Sequence, residues 1–217
     1  MKIKVILFTG IVLAVFSILG YIYWQQEIQY LLPTPKPVNL KVIQPGDKIE
    51  FSDLKPTKKG LFIHFFNGEC PCSRFNIKDF ERMVKAHQHQ IDFKVYIQCE
   101  DCNQRKVQAF KNKFDLDIAV SLDLNGEAAA SMGVYSTPQA VLLDSNRVVF
   151  YKGNYNKARF CVSKNTAFAE KAINAYINGE AAPAFPEVAY VAYGCTLPTN
   201  NEDSKHDPIT GFFKELF

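Results

Sequence analysis

No stretch of this sequence gathers Lys and Arg among aromatic side chains, and the net charge over 217 residues is only +3. A nucleic-acid partner needs a basic footprint to neutralise phosphates, so no nucleic acid is expected as a partner. No internal repeat is visible, and the chain is not a repeat array. Charged side chains are missing altogether from Val5 to Trp24, and after Lys4 no Lys or Arg returns until Lys36. What is present is ordinary globular composition, 47% hydrophobic and 22% charged, in a chain long enough for one buried domain plus appendages.

The uncharged stretch is long enough to cross roughly 30 Å of hydrocarbon at about 1.5 Å per residue. Tyr21, Tyr23 and Trp24 cluster at its far end as an interfacial aromatic belt would, and Lys2 and Lys4 precede it. The expected topology is a single pass through the inner (plasma) membrane by residues 5–24, with a cytoplasmic stub and the bulk of the chain on the periplasmic, extracytoplasmic side. A cleaved signal peptide competes with this reading. The apolar run is long for one, however, and Ser17-Ile-Leu-Gly20 is a poor cleavage site because a bulky residue falls at the −3 position.

Export makes the six cysteines informative, because thiols pair in an oxidising compartment and the count is even. Residues 25–47 hold Pro33, Pro35, Pro37 and Pro45 without helical or alternating period, which reads as a spacer. Beyond it, Lys48 to Phe51 reads as a short strand and Leu61 to Phe66 as a buried one. Ile77, Phe80 and Val84 mark a helix to about Ala86, and Phe93 to Gln98 a second strand of near-alternating pattern. Asn103 caps a helix striped by Val107, Phe110 and Phe114. Ile118 to Leu122 is a strand and Glu127 to Met132 a short helix. Val134 to Asp144 and Val148 to Lys152 form a hairpin, and Thr166 caps a last helix ending before Gly179. The order β-α-β-α-β-α-β-β-α implies an α/β domain at 48–180 with a mixed central sheet. Residues 181–217 form an extension laid on the domain surface, partly mobile toward its end.

The chemistry is expected at Gly60 to Phe75, where an apolar strand breaks at Asn67-Gly68 and delivers Cys70-Pro71-Cys72 to a helix start. A helix N-terminus carries partial positive charge and unpaired N–H donors, which stabilise a thiolate, and the thiolate is the nucleophile of disulfide exchange. Pro71 at the first helical position costs no hydrogen bond. Glu69 would raise the pKa of Cys70 and Arg74 would offset it. His64, in the apolar strand, reads as a core histidine, and His87 and His89 as solvent-facing. Asp123 and Asp144 end strands on the same side and read as turn or cap formers rather than proton acceptors.

These features resemble the thioredoxin superfamily, in particular its membrane-anchored, periplasm-facing proteins of the TlpA and ResA type. The resemblance rests on strand-Cys70-Pro71-helix, on Gly133-Val-Tyr-Ser-Thr-Pro138 before a strand, and on the element order. It implies a three-layer α/β/α sandwich and a cis-proline at Pro138 beside the reactive cysteine, with the backbone before it binding substrate; Thr137 and Pro138 join the candidate site on that basis. The family pattern is Cys-x-x-Cys, and here Ser73 stands where the second cysteine falls. Residues i and i+2 of a helix point roughly 200° apart, so a Cys70–Cys72 bond would be strained and oxidising. Otherwise the resolving thiol comes from elsewhere, with Cys99 and Cys102 the nearest supply because parallel strands joined by one helix end on the same edge. Those two residues could equally form a second redox pair or a plain staple. Cys161 and Cys195 are expected to form a structural disulfide pinning the extension.

The expected function is a membrane-tethered thiol–disulfide oxidoreductase acting on protein thiols and disulfides, with no cofactor and no metal. One alternative is a copper-binding or chaperone module, since close thiolates suit Cu(I) and His64 or His87 would add a ligand. A thiol peroxidase is less favoured, because its P-x-x-x-T/S-x-x-C motif would need Pro and Thr or Ser where Ile63 and Asn67 stand.

Overall fold

The computed structural model describes residues 2–54, 57–99, 101–157 and 163–200. It divides into two compact units, Met1–Leu32 and Pro33–Phe217. The first is helix α1 (Lys2–Gln26) followed by a 3-10 turn at Ile28–Leu31. Lys2–Gln25 is long and apolar enough to cross a membrane, and none of its most apolar stretch is buried.

The second unit is built on β1 (Leu61–Phe66), the middle strand of a five-stranded sheet. Strands β2 (Asp92–Ile97) and β3 (Ala119–Leu122) follow on one side, each parallel to its neighbour. On the other side lie β5 (Gln139–Leu143) and β6 (Val149–Gly153), antiparallel to β1 and to each other respectively. The order β3-β2-β1-β5-β6 is mixed, as expected from strands that alternate with helices and close in a hairpin.

Alternation along β1 fixes both layers. Phe62 and Phe66 join a core with Ile77, Phe80, Met83 and Val84 of α2 (Pro71–His87), Val107 and Phe110 of α3 (Gln104–Phe114), and Phe168, Ala169 and Ile173 of α5 (Phe168–Ile177). Ile63 and Phe65 point the other way, onto α4 (Glu127–Ser131) and onto extended chain carrying Ile43, Ile49 and Leu197. Burying one such phenylalanine is worth about 2–3 kcal/mol, so the two faces of one strand anchor both outer layers.

Two local expectations are corrected. Lys48 to Phe51 makes no strand: a single bridge pairs Lys48 with Val148, and the chain turns at once, Leu54 N–H donating to Phe51 O (3.1 Å). Thr166 does not cap α5; Ala167 does, without a side-chain bond, while the Thr166 hydroxyl donates to Asn156 Oδ1 (2.6 Å). Asn103 does cap α3, accepting from Arg105 N–H (3.0 Å).

The C-terminal extension is packed as far as it is described. Ala189, Ala192 and Leu197 are fully buried, and a short strand β7 (Cys195–Thr196) pairs antiparallel with β4 (Ser136–Thr137). The expected mobile end, residues 201–217, lies outside the described residues.

Candidate functional site

Where β1 ends, Asn67 folds the chain back. Its carbonyl accepts from Cys70 N–H (3.1 Å) and its side chain from Glu69 N–H (2.8 Å), so the turn is closed by one asparagine. Cys70 is then the N-cap of α2 with extended backbone, Pro71 takes the first helical position, and Cys70 O accepts the first helical bond, from Arg74 N–H (3.2 Å). The sulfur of Cys70 therefore sits at the positive end of a 17-residue helix.

Cys70 is bonded to Cys195, 125 residues away, with Cα atoms 6.0 Å apart. Cys72 is buried, and the sulfurs of Cys70, Cys72 and Cys195 all lie within 4.8 Å of one another. The expected Cys161–Cys195 bridge is thus corrected: Cys195 is carried by β7 to Cys70, and Cys161 lies outside the described residues. A Cys70–Cys72 bond is not formed either. The three-atom cluster arises because Cys70 lies outside the helix, as its N-cap, while Cys72 is buried in the first turn.

The Thr137–Pro138 peptide is cis, and Thr137 O lies 3.5 Å from Cys70 Sγ. The Thr137 hydroxyl donates to Phe65 O (2.8 Å), which leaves the Ser73 hydroxyl to donate to Thr137 Oγ1 (2.6 Å). One threonine thereby ties the proline loop to the end of β1 and to the first turn of α2. Beyond it the extension crosses: Thr137 is the register partner of Cys195, and Ser136 of Thr196. The hydroxyls of Thr34 and Ser136 bond to each other (2.9 Å) and lie 3.3 Å and 3.2 Å from the carbonyls of Gly194 and Cys195. Thr34 N–H donates to Ala192 O (2.8 Å), so the strap is held on two sides.

Ser73, Ser136, Thr34 and Gly194 were not legible as site residues. Ser73 alone left a signal, standing three residues after Cys70 where a second cysteine would usually be.

Cys99 and Cys102 are bonded to each other across three positions of sequence. Their loop does adjoin the Cys70 loop: Gln98 N–H donates to Phe66 O (3.0 Å), and Lys106 pairs loosely with Glu69 (3.9 Å). The sulfur that reaches Cys70 nevertheless comes from the extension.

Asp123 caps α4, accepting from Ala128 and Ala129 N–H (both 3.0 Å) and from Gln98 (2.7 Å). Asp144 closes the hairpin turn through Asn146 and Val148 N–H (both 2.8 Å). His64 is fully buried, stacked on Phe80 and bonded through Nδ1 to the Tyr155 hydroxyl (2.6 Å). Burial lowers its pKa to about 3, so it is a neutral core residue, outside the sulfur cluster.

A central strand ending in an N-cap cysteine, opposite a cis-proline loop that leads into an antiparallel hairpin, defines a thioredoxin-like fold. Residues 41–197 match the family described as "Domain of unknown function (DUF6436)", and the chain belongs to that family. No curated protein sequence matches it. Among solved structures, an uncharacterized conserved protein from Geobacillus kaustophilus superposes with a TM-score of 0.59 at 13% identity, covering 76% of this chain and 97% of its own. A hypothetical protein from Sinorhizobium meliloti gives 0.56 at 17%, covering 64% and 78%. A putative thiol:disulfide interchange protein DsbE from Chlorobium tepidum gives 0.44 at 18%, covering 51% and 85%. Identities of this size speak to the fold alone.

Proposed function

We propose that this protein is a membrane-tethered thiol–disulfide oxidoreductase that works on cysteines of other proteins through a mixed disulfide at Cys70. The observation that carries the reading is the state of Cys70: an N-cap sulfur at the proline loop, already engaged in a disulfide with a cysteine of another element, with a third sulfur in reach. As a leaving group or nucleophile the Cys70 thiolate is favoured by the helix N-terminus, and the exchange itself needs only sulfurs. The anchor is α1, and Lys2 and Lys4 on its N-terminal side favour an extracytoplasmic domain.

Cys70→Ser is expected to abolish activity in an insulin-reduction or scrambled-substrate assay, and full activity in that variant would remove the assignment. Protease added to right-side-out vesicles is expected to digest the domain; protection would reverse the orientation.

A second reading rests on the same three sulfurs. Once reduced, three thiolates within 4.8 Å of one another match the trigonal, soft coordination that Cu(I) accepts. Copper titration of the reduced full chain, watched for thiolate-to-metal charge transfer, separates the two: strong absorption lost in Cys70→Ser favours metal handling.

A further inference from the structure

We propose that Cys195 is the resolving cysteine of this site, and that the strap carrying it occupies the strand edge to which the cysteine segment of a protein substrate binds. The proposal rests on the oxidoreductase reading and adds to it the resolving residue and the form of substrate recognised.

Cys70 is only 2% exposed while the strap is seated, so an incoming sulfur cannot reach it from solvent. What covers it is itself a short extended peptide with a cysteine. Its cysteine faces Thr137, its next residue faces Ser136, and Leu197 N–H, two positions after the cysteine, donates to Tyr135 O (3.3 Å). The Leu197 side chain is fully buried in the core under β1. Among the described residues β4 has no other strand partner than β7. Lift the strap, and a backbone edge and an apolar socket stand open beside the Cys70 sulfur. The ligand they fit is an extended segment bearing a cysteine with a large apolar residue two positions on.

Close approach of the strap depends on Gly194. Its φ is +143°, and a Cβ there would collide with the carbonyl oxygen of Thr137. Substrate and strap therefore compete for one edge and one sulfur, and the chemistry follows from that competition. In the reduced protein the Cys70 thiolate attacks a substrate disulfide, forming Cys70–S–S–substrate and releasing the other substrate sulfur as thiolate. The strap then returns, and the Cys195 thiolate attacks Cys70 Sγ. Its electron pair makes the Cys70–Cys195 bond, the bond to substrate breaks, and the departing substrate thiolate takes a proton from water. Two electrons have passed to the substrate, and re-pairing of β7 with β4 expels it in the same event. The reverse sequence oxidises a substrate dithiol.

The test uses the reduced full chain and an extended peptide, with Leu two residues after its single cysteine, supplied as the mixed disulfide with thionitrobenzoate. Release of thionitrobenzoate reports attack by Cys70; later release of peptide, followed by mass spectrometry, reports resolution. Cys195→Ser is expected to prolong the Cys70–peptide adduct at least about tenfold, and by more than Cys72→Ser does, because a tethered thiolate is replaced by a less well-placed sulfur or by a thiol of a second molecule. Gly194→Ala, which keeps every cysteine, is expected to prolong it as well. N-methylation of the peptide's leucine is expected to slow adduct formation about fivefold by deleting the donor that Leu197 supplies. Clearance of the adduct at the wild-type rate in Cys195→Ser, or a longer-lived adduct in Cys72→Ser, would overturn the proposal while leaving Cys70 as nucleophile. Thionitrobenzoate release undiminished in Cys70→Ser would instead remove the oxidoreductase reading itself.

Discussion

Among the described residues the molecule holds two disulfides of opposite setting. Cys99–Cys102 has the Cys-x-x-Cys spacing of the resembled family, yet both residues precede α3, whose N-terminus is served by Asn103, and the bond closes only its own short loop. Cys70–Cys195 has no spacing that a motif would find, yet it joins a helix N-cap to a strand 125 residues later, with a third sulfur beside it. Cys-x-x-Cys spacing thus does not find the sulfur that caps a helix, nor the distant segment the fold brings to it.

The sharpest way to break that contrast is to remove each pair in turn. Cys70→Ser is expected to reduce thiol–disulfide exchange by on the order of a thousandfold, since the attacking sulfur is gone. Replacing Cys99 and Cys102 together by Ser is expected to cost less than about threefold in the same insulin assay. A large loss in the second variant would make that pair part of the redox path.

Stability separates the pairs next. On the chain-entropy account, closing a loop of this length constrains the unfolded state by about 5 kcal/mol, against about 2 kcal/mol for a bond between residues three apart. Urea unfolding of Cys195→Ser and of Cys102→Ser is expected to show that ordering, and equal losses would mean that the strap adds little to the domain's cooperativity.

Acid probes the strand that delivers Cys70. His64 in β1 has its folded pKa lowered by burial to about 3, below its ordinary value. A lowered histidine pKa means that the unfolded chain takes up a proton the folded one refuses. The resulting stability is full above pH about 6.5 and declines by up to about 1.4 kcal/mol per pH unit below it, down to about pH 3. His64→Phe is expected to flatten this slope in urea unfolding measured at successive pH values; an unchanged slope would assign acid sensitivity elsewhere.

The smallest expected effect is local. Ser73→Ala removes one hydrogen bond to Thr137, whose own bond to Phe65 O remains. A loss of about 1 kcal/mol and a few-fold slower attack by Cys70 are expected, read from thionitrobenzoate release. No change in rate would mean that the Phe65 bond alone positions the proline loop.

Much of this was legible before any coordinates. The apolar helix, the order of strands and helices, and the placement of Cys70 at a strand-to-helix junction followed from local pattern: the short, apolar, aromatic-rich run Leu61 to Phe66, the i, i+3, i+7 stripe from Ile77, and a proline after Cys70. Thr166 was misread because its hydroxyl is taken by Asn156 rather than by the helix, and Lys48 to Phe51 because the segment makes one bridge to Val148 and then turns at Phe51 to Leu54.

By itself, then, the sequence determined which sulfur would cap a helix at the end of a strand, because a helix N-terminus and a breaking strand are local properties of a few residues. It could not determine that sulfur's partner. Cys195 lies in an extension without helical or alternating period, and its position depends on hydroxyls of Thr34 and Ser136 and on a glycine that lets two backbones meet. Pairing between segments more than a hundred residues apart is a property of the folded surface, and only tertiary structure decided it.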